Sequence, residues 1–331
     1  MNILITGGAG FIGSNLSEFH INRGDTVVAV DDLSTGRKEN LAALIGQECF
    51  SFVKADLLSW TDLAAEVTKA DRIYHLAAVV GMFRVLKESV AVTRINVGAT
   101  ERVLEAAANG PNNPQIIIAS SSSVYGHSSD QLALSEGIDL AFSIERGGLT
   151  GYALSKLTNE IQAQAYHEQC GIKVVIPRLF NVVGPHQSGN YGFVIPRFIQ
   201  QALDGVPLTV FGDGSQIRSF CDVRDTMAAL DKLAAIGDDP GEVQNGEVVN
   251  VGNTREISIL ELAKLVIARA GSSSTIQFVP FDQAYGEHFD HITQRKPIVE
   301  KLERLTGFSP QWTLEETIDD LLKHIRQEAT L

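Results

Sequence analysis

A tyrosine and a lysine four residues apart are the chain's strongest candidates for acid–base chemistry. Tyr152 and Lys156 lie in the segment YALSK, and residues four apart share one face of a helix. A free phenol has a pKa of about 10 and is a poor base at neutral pH. An adjacent ammonium favours the phenolate and lowers that pKa. The pair predicts a tyrosine base, and an exposed surface pair is the alternative.

A run of serines supplies further hydroxyl groups. The segment SSSSVYG, residues 120–126, directly follows an apolar stretch that is typical of a buried strand. Ligands of parallel sheets bind at the carboxyl ends of the strands. The Ser121 hydroxyl could therefore hydrogen-bond the substrate oxygen that Tyr152 deprotonates. A flexible serine loop is the alternative.

A glycine pattern near the N-terminus predicts a dinucleotide site. In GGAGFIG, residues 7–13, Gly7 allows a tight turn, Gly10 lets a diphosphate approach the backbone, and Gly13 packs helix against strand. Backbone N–H groups at a helix N-terminus hold phosphate oxygens. Asp31 and Asp32 end the second apolar stretch. A carboxylate there accepts both ribose hydroxyls and repels a 2′-phosphate, so NAD is favoured over NADP, with an Asx turn as the alternative.

Alternating strands and helices must position these groups. Near-continuous apolar runs predict parallel strands covered on both faces, at residues 2–6, 26–30, 50–54, 72–76, 115–119 and 173–176. Helical periodicity lies between them, at residues 11–23, 61–69, 92–109 and 152–169. This alternation predicts an α/β fold, a Rossmann-like doubly wound parallel sheet.

The amino-acid composition changes after Arg178. This change predicts a smaller C-terminal α/β lobe that binds substrate. Glycine and proline are frequent over residues 181–217, and the predicted elements there are a helix at 196–203 and a strand at 208–210. A return strand is predicted at 247–251, and amphipathic helices at 258–270 and 314–327. We assign residues 1–180 and 218–252 to the NAD-binding domain, and residues 181–217 and 253–331 to the substrate lobe.

Composition narrows the function classes and the location. The 331 residues carry a net charge of −13, which disfavours nucleic acid and anionic membranes as partners. No apolar run reaches the roughly 18 to 20 residues that a membrane span needs. Three widely separated cysteines predict reduced thiols, and with no export signal recognised we expect a cytoplasmic protein.

Taken together, the motifs resemble those of the extended short-chain dehydrogenase/reductase family, in its branch of nucleotide-sugar epimerases, dehydratases and decarboxylases. The resemblance covers nearly the whole chain. It is carried by the glycine and Asp31 motifs, HLAA (75–78), the serine and YALSK segments, RLFNVVGP (178–185) and VFGDGSQIRSFCDVRD (210–225).

The resemblance implies tightly held NAD, a homodimer and a set of site residues. Ser121, Tyr152 and Lys156 would be catalytic, and Asp56 with Leu57 could hold the adenine. The cofactor-binding set is Gly7, Gly10, Phe11, Ile12, Gly13, Asp31, Asp32, Leu33, Ser34, Thr35, Gly36, Asp56, Leu57, Leu76, Ala77, Ala78, Val80, Asn96, Tyr152 and Lys156. The substrate-binding set is Ser121, Ser122, Tyr152, Asn181, Phe193, Arg197, Arg218 and Arg295, with the last two on the diphosphate of a UDP-sugar.

The serine segment also departs from part of the family. Relatives that eliminate water or carbon dioxide usually carry an acid where this chain has Ser121–Ser123. Dehydration needs a general acid, so we expect a 4-epimerase of a UDP-hexose or UDP-hexuronate, which removes a hydride from C4 and returns it to the opposite face. The alternatives are a decarboxylase or 4,6-dehydratase with an acid such as Glu136 or Glu145, or a non-catalytic NAD-sensing scaffold.

Four weaker signals receive structural interpretations. The acid- and histidine-rich segment 287–291 is predicted to be solvated, so no metal is expected. We expect His75 to be a core histidine and Cys221 to serve packing. His186 could contact substrate or lie at a loop tip.

Overall fold

A computed structural model describes residues 1–126, 133–143, 147–189, 192–236, 246–285 and 294–328. The strands are β1 Asn2–Thr6, β2 Thr26–Asp31, β3 Phe50–Lys54, β4 Arg72–His75, β5 Gln115–Ile118, β6 Ser120–Ser121, β7 Lys173–Leu179, β8 Val182–Val183, β9 Leu208–Phe211, β10 Ile217–Ser219, β11 Cys221–Asp222, β12 Glu247–Val251, β13 Glu256–Ser258, β14 Ile276–Val279 and β15 Gln294–Arg295. The α-helices are α1 Phe11–Asn22, α2 Leu63–Lys69, α3 Met82–Lys87, α4 Ser89–Asn109, α5 Gly147–Cys170, α6 Val194–Leu203, α7 Val223–Ile236, α8 Ile259–Ala270, α9 Phe281–Tyr285, α10 Glu300–Thr306 and α11 Leu314–Glu328.

The main sheet is parallel and has the order β12-β7-β5-β4-β1-β2-β3, with β6 paired to β7. Its strands have largely apolar centres, as expected for strands that are covered on both faces. In β1, Ile3 and Ile5 pack into the cluster that contains residues of α1 and α7, whereas Leu4 packs into the cluster with residues of α2 and α4. The predicted doubly wound parallel sheet is confirmed.

The predicted helices and strands are recovered with small differences at their ends. The helix of the YALSK segment begins at Gly147, before the predicted start at 152, and ends at Cys170. The helix predicted at 258–270 starts at Ile259 because Ser258 is its N-cap, in a capping box with Glu261. Helices α3, α7, α9 and α10 were not predicted, nor were the short strands β6, β8, β10, β11, β13, β14 and β15.

A further apolar cluster lies outside the main sheet. It joins one face each of α6, α8 and α11 to β9, and includes Phe198, Leu208, Leu262 and Ile318. Helix α10 instead packs on α7 and contributes Leu302 to a cluster of the main sheet. The division into two lobes at the proposed boundaries stays a prediction.

The glycine-rich turn is closely packed against its surroundings. Gly7 has a φ of +71°, and a Cβ there would lie 2.8 Å from the Ala77 nitrogen on the chain leaving β4. A Cβ at Gly13 would lie 2.2 Å from the Gly7 carbonyl oxygen. The tight turn and the close packing of α1 on β1 therefore depend on missing side chains, as the spacing predicts.

Within the described residues, every helix is too short or too polar to cross a bilayer.

The packing at Gly13 generates a stability prediction. We expect Gly13→Ala to lower the free energy of unfolding by about 1–3 kcal/mol, because its Cβ would overlap backbone atoms that cannot move away easily. Gly137→Ala is the control, since a Cβ there meets nothing within 4 Å, and we expect a change within about 0.5 kcal/mol. Urea unfolding followed by circular dichroism measures both. Equal stabilities of the two variants would contradict the packing argument.

Candidate active site

A single cleft of about 980 Å³ brings the predicted groups together at the carboxyl ends of the parallel strands. Its walls come from the glycine-rich turn, the chain leaving β2 to β4, the serine segment after β5, and helix α5. Residues of α6, β9, β10 and β15 form the opposite side. The cleft follows from the topology, since parallel strands end at one edge of their sheet.

The N-terminus of α1 fits a dinucleotide diphosphate. Gly10 is the N-cap and provides no side-chain cap for the first turn of this 12-residue helix. Gly7, Gly10 and Gly13 all line the cleft. Without side chains at these positions, the first-turn N–H groups can meet an anion directly. The residues present therefore fit NAD.

The Asp31 carboxylate bonds to the backbone of the glycine-rich turn and also lines the cleft. Its carboxylate accepts hydrogen bonds from the backbone nitrogens of Ala9 at 3.1 Å and Leu33 at 2.8 Å. The residue is 8% exposed, and burial raises its pKa above the ordinary value. The neighbouring Asp32 is exposed and accepts from the Ser34 nitrogen at 2.7 Å. Both line the cleft, so a ribose would meet two carboxylates already partly bound to backbone.

Most residues of the predicted cofactor set line the cleft, and three do not. Those in the lining are Gly7, Gly10, Phe11, Ile12, Gly13, Asp31, Asp32, Ser34, Thr35, Asp56, Leu57, Leu76, Ala77, Ala78, Val80, Tyr152 and Lys156.

The three other residues lie elsewhere for separate physical reasons, and their roles toward the cofactor stay predictions. Leu33 packs against the apolar core, and Gly36 lies against the Asp31 carboxyl, where a Cβ would be 2.7 Å from an oxygen. Asn96 is fully buried and accepts from the Val79 nitrogen at 2.7 Å. It also donates to the Ser155 hydroxyl at 3.1 Å. Asn96 thus shapes the cleft wall without lining the cleft.

The candidate base and hydroxyl both line the cleft, and Ser121 lies close enough to influence the Tyr152 phenol. The Ser121 hydroxyl donates to the Ser123 hydroxyl at 3.2 Å. Burial raises the pKa of Tyr152, while Ser121 and the nearby positive charge of Arg295 lower it. Arg295 is therefore a cation whose charge reaches the phenol, and the influence of Lys156 that the sequence predicts stays a prediction.

Lys156 lies beneath the same wall. It is 3% exposed, and its ammonium donates to the Ala119 carbonyl at 2.8 Å. Burial lowers the Lys156 pKa to about 8, against an opposing effect of Glu160. Because a buried ammonium is partly desolvated, its charge acts strongly on neighbouring groups.

The predicted substrate set all lies in the cleft. Its members are Ser121, Ser122, Tyr152, Asn181, Phe193, Arg197, Arg218 and Arg295. Asn181 has a φ of +28° and donates to the Ser219 carbonyl at 2.9 Å, which fixes it beside β10. Arg197 stacks over the Phe211 ring at 4.0 Å and donates to the Thr209 carbonyl.

Two of the arginines that line the cleft are neighbours on adjacent strands, and Arg37 and Arg197 line it as well. Arg218 of β10 and Arg295 of β15 are paired in register on parallel strands, so their side chains project to the same face. Burial and the charge of Arg218 lower the pKa of Arg295 to about 9. The Arg295 Nε is buried and has no hydrogen-bond partner among the described residues. Like charges placed side by side predict an anionic ligand.

The carboxylates in the described lining all lie on the β2 and β3 side. They are Asp31, Asp32 and Asp56. Glu136, a candidate acid in the sequence, does not line the cleft; its carboxylate accepts from the Asn250 nitrogen at 2.8 Å. Glu145 lies outside the described residues. Around Tyr152 the described lining therefore offers hydroxyls and arginines instead of acids.

The weaker signals can be placed as well. His75 is 1% exposed between the hydroxyls of Thr6 and Thr100, and burial lowers its pKa to about 3, which confirms a core histidine. Burial likewise raises the pKa of Cys221 to about 12, consistent with packing. His186 lines the cleft, 2.9 Å from the Ser14 hydroxyl. Segment 287–291 lies outside the described residues, and the described ones hold no cluster of three metal-ligating groups.

Several apolar lining residues were missed by the sequence analysis. Met82 of α3 and Phe142 lie in the wall that also holds Tyr152, and Thr150 adds a hydroxyl. Only the glycine at 81, with a φ of +94° before α3, marks this segment. Side chains from segments without a motif reach a site only through tertiary packing.

Comparison with known proteins places the chain in a family. The model of the NAD dependent epimerase/dehydratase family matches residues 3–252. A UDP-N-acetyl-alpha-D-glucosaminuronate decarboxylase of Bacillus cytotoxicus is 35% identical over 98% of this chain and 97% of its own. UDP-glucuronic acid decarboxylase 2 of Arabidopsis thaliana is 33% identical over 99% of this chain and 68% of its own.

A solved structure supports the same assignment. UDP-glucuronic acid 4-epimerase from Bacillus cereus, in complex with UDP-glucuronic acid and NAD, superimposes with a TM-score of 0.85. It is 30% identical over 99% of this chain and all of its own. With the Rossmann-like sheet, the glycine turn and the proximity of Ser121 to Tyr152, these matches show that the chain is an NAD-dependent enzyme of the epimerase/dehydratase family.

Proposed function

We propose that this enzyme acts on a UDP-hexuronate, oxidises C4 of the sugar, and releases C6 as carbon dioxide to leave a UDP-pentose. The observation that carries the substrate class is the position of Arg295, a cation next to the candidate base Tyr152. A hexuronate carries a carboxylate on C5, the ring carbon adjacent to C4. A sugar whose C4 hydroxyl meets Tyr152 therefore brings its carboxylate close to this guanidinium.

The chain's own residues prepare the oxidation. Tyr152 takes the proton of the C4 hydroxyl, and Ser121 donates a hydrogen bond to the same oxygen. The buried Lys156 ammonium favours the phenolate and holds the nicotinamide ribose. NAD, when bound, supplies the acceptor for the C4 hydride and later returns it. Arg218 holds the diphosphate, so the reacting carbon stays in position.

Loss of carbon dioxide follows from the 4-ketone. The carboxyl carbon is then β to a carbonyl, and breaking the C5–C6 bond sends its electron pair into an enolate whose oxygen lies on C4. The hydroxyls of Tyr152 and Ser121 stabilise that oxygen as charge develops. C5 then takes a proton from solvent, and reduction at C4 restores the alcohol. Cleavage thus needs an electron sink and no carboxylic acid, which removes the sequence-based objection to a decarboxylase.

The relatives favour this outcome over the epimerase expected from the sequence. The two curated relatives reported above act as decarboxylases of uronate-type UDP-sugars. Epimerisation at C4 remains the second candidate, because only serines stand at 121–123 and the described lining around Tyr152 has no carboxylate. The same feature disfavours a dehydratase, whose leaving hydroxide must be protonated.

Product analysis tests the proposal. We expect the NAD-loaded protein to convert UDP-glucuronate or its N-acetyl analogue to a UDP-pentose with loss of one carbon dioxide, as measured by NMR of the anomeric protons. Tyr152→Phe should retain NAD and lose about 100- to 10,000-fold in turnover, the range for removing one acid–base group. A 4-epimer that keeps its carboxylate would overturn the decarboxylase assignment. Wild-type protein without turnover of either sugar would contradict the enzyme assignment for this substrate class.

The role of Arg295 is tested by charge removal. We expect Arg295→Gln to lower kcat/KM for UDP-glucuronate by about 100-fold, since losing one partner of a buried charge pair costs roughly 2–5 kcal/mol. Affinity for UDP alone should change by less than about threefold. Arg218→Gln is the matched control and should weaken UDP and UDP-glucuronate equally, as isothermal titration calorimetry can measure. Equal losses for both ligands in Arg295→Gln would instead assign Arg295 to the diphosphate, as the sequence predicts.

We retain the homodimer as a proposal on the outer face of α5. Leu154 and Ile161 lie seven residues apart on one helical face and are 40% and 57% exposed. A second copy could cover this stripe and the neighbouring α4. Ala107 of α4 is buried inside the sheet core and is therefore not part of this stripe.

A charge on that face should dissociate the dimer. We expect Ile161→Glu to sediment as a monomer at micromolar concentration, because the carboxylate would be buried without a partner. Val206→Glu, at an exposed position outside α4 and α5, is the control and should sediment as a dimer. Dimeric Ile161→Glu would rule out this face.

A further inference from the structure

A buried ion pair lies directly beneath the candidate catalytic residues. The Glu160 carboxylate accepts from Nε of Arg178 at 2.9 Å and from its Nη2 at 2.8 Å. Glu160 is 2% exposed and Arg178 is 4% exposed. A bidentate pair of this kind fixes both distance and orientation.

The pair connects the two segments that carry the chemistry. Glu160 follows Lys156 by one helical turn and Tyr152 by two, on the same side of α5. The Ser120 hydroxyl donates to the Glu160 carboxylate, and the next residue is Ser121. Arg178 lies opposite Ser120 in the pairing of β6 with β7. The Glu160 carboxylate thus links α5, which carries the candidate base, to the serine segment and to the sheet.

Arg178 is in turn fixed from its other side. Its guanidinium lies over the Tyr125 ring at 4.8 Å, and the Tyr125 hydroxyl donates to the Asn250 amide oxygen at 2.7 Å. The Glu136 carbonyl accepts from Nη1 of Arg178 at 3.4 Å. These contacts connect Arg178 to β12 and to the described segment 133–143. Two further parts of the fold therefore help to hold the ion pair in place.

Stability alone is a weak reason for such a pair. Two buried charges lose so much hydration that apolar side chains of similar volume often stabilise a protein as well or better. Directional bonds to Ser120 and Arg178 instead give the carboxylate a defined geometry, which is what a site built from two segments requires.

We propose that Glu160 is a positioning residue: its carboxylate, clamped by Arg178 and bonded to Ser120, sets the placement of Ser121 relative to Tyr152 and keeps a negative charge next to Lys156. This inference rests on the proposed catalytic roles of Tyr152, Ser121 and Lys156.

The negative charge of Glu160 raises the pKa of Lys156, which an uncharged side chain of the same size would not do. The groups facing Lys156 are His75 from β4, kept neutral by burial, and Tyr152 and Glu160 from α5. Glu160 raises the Lys156 pKa against the effect of burial, which lowers it. Facing Glu160 itself are Arg178, Lys156 and the Ser120 hydroxyl. Without the carboxylate, the Lys156 pKa must fall further, so the ammonium is lost at a lower pH.

Two variants separate position from charge. Glu160→Gln removes the charge and should lower kcat by about 100-fold, with the alkaline limb of the kcat–pH profile moved to lower pH. Ser120→Ala removes only the bond to the serine segment, so we expect kcat to fall about tenfold with the alkaline limb unmoved. Asp231→Asn, in the pair with Arg72 at the opposite end of β4, is the control; it should lower stability and keep the wild-type kcat and pH profile.

The outcomes distinguish this inference from the proposed function. If wild-type protein turns over a UDP-hexuronate and Ser120→Ala matches it in kcat, Glu160 does not position the serine segment, whether or not Glu160→Gln folds. A folded Glu160→Gln with the wild-type alkaline limb would remove the charge effect. Wild-type protein that converts none of the sugars would refute the proposed function instead.

Discussion

The packing of α5 across the carboxyl ends of β5, β6 and β7 is the constraint on which the candidate site depends. It places a phenol, an ammonium and a serine hydroxyl from two separate segments within one cleft wall. The parallel sheet makes this possible because its strands end at one edge, and α5 can cross that edge only if its buried polar groups find partners. The Lys156–Ala119 bond and the Glu160–Arg178 pair provide those partners. The same buried contacts therefore position the candidate catalytic groups and give the buried polar groups of α5 their partners.

Charge is distributed unevenly along the cleft. Carboxylates lie on the β2 and β3 side, and at Tyr152 the charge of Arg295 acts on the phenol. The protein as a whole carries a charge of −13, so an anionic ligand would have to be bound by local positive charge against the net charge. Burial strengthens the arginines' effect and also explains why the Arg295 pKa lies well below its ordinary value.

The comparison between decarboxylase and epimerase turns on what happens after C4 is oxidised. Both outcomes use the same base, hydroxyl and anion-binding groups, which is why one family contains both. The chemical difference is whether the C5–C6 bond aligns with the carbonyl so that its electrons can enter the enolate. That alignment would depend on how the substrate carboxylate is held, for which Arg295 is the proposed partner.

Local sequence determined most strands of the main sheet, several of the long helices and the motif residues of the cleft, because apolar periodicity and glycine spacing act over a few residues. It also identified Tyr152, Lys156 and Ser121, whose roles stay proposals. It did not predict α7, α10 or much of the remaining cleft lining. It could not foresee that Asn96 supports the wall from behind, that Glu136 bonds to backbone away from the cleft, or that Arg295 lies in register with Arg218 and beside Tyr152. Those placements depend on strands and loops far apart in the chain, and only tertiary packing decides which of their side chains meet and how their burial shifts each charge.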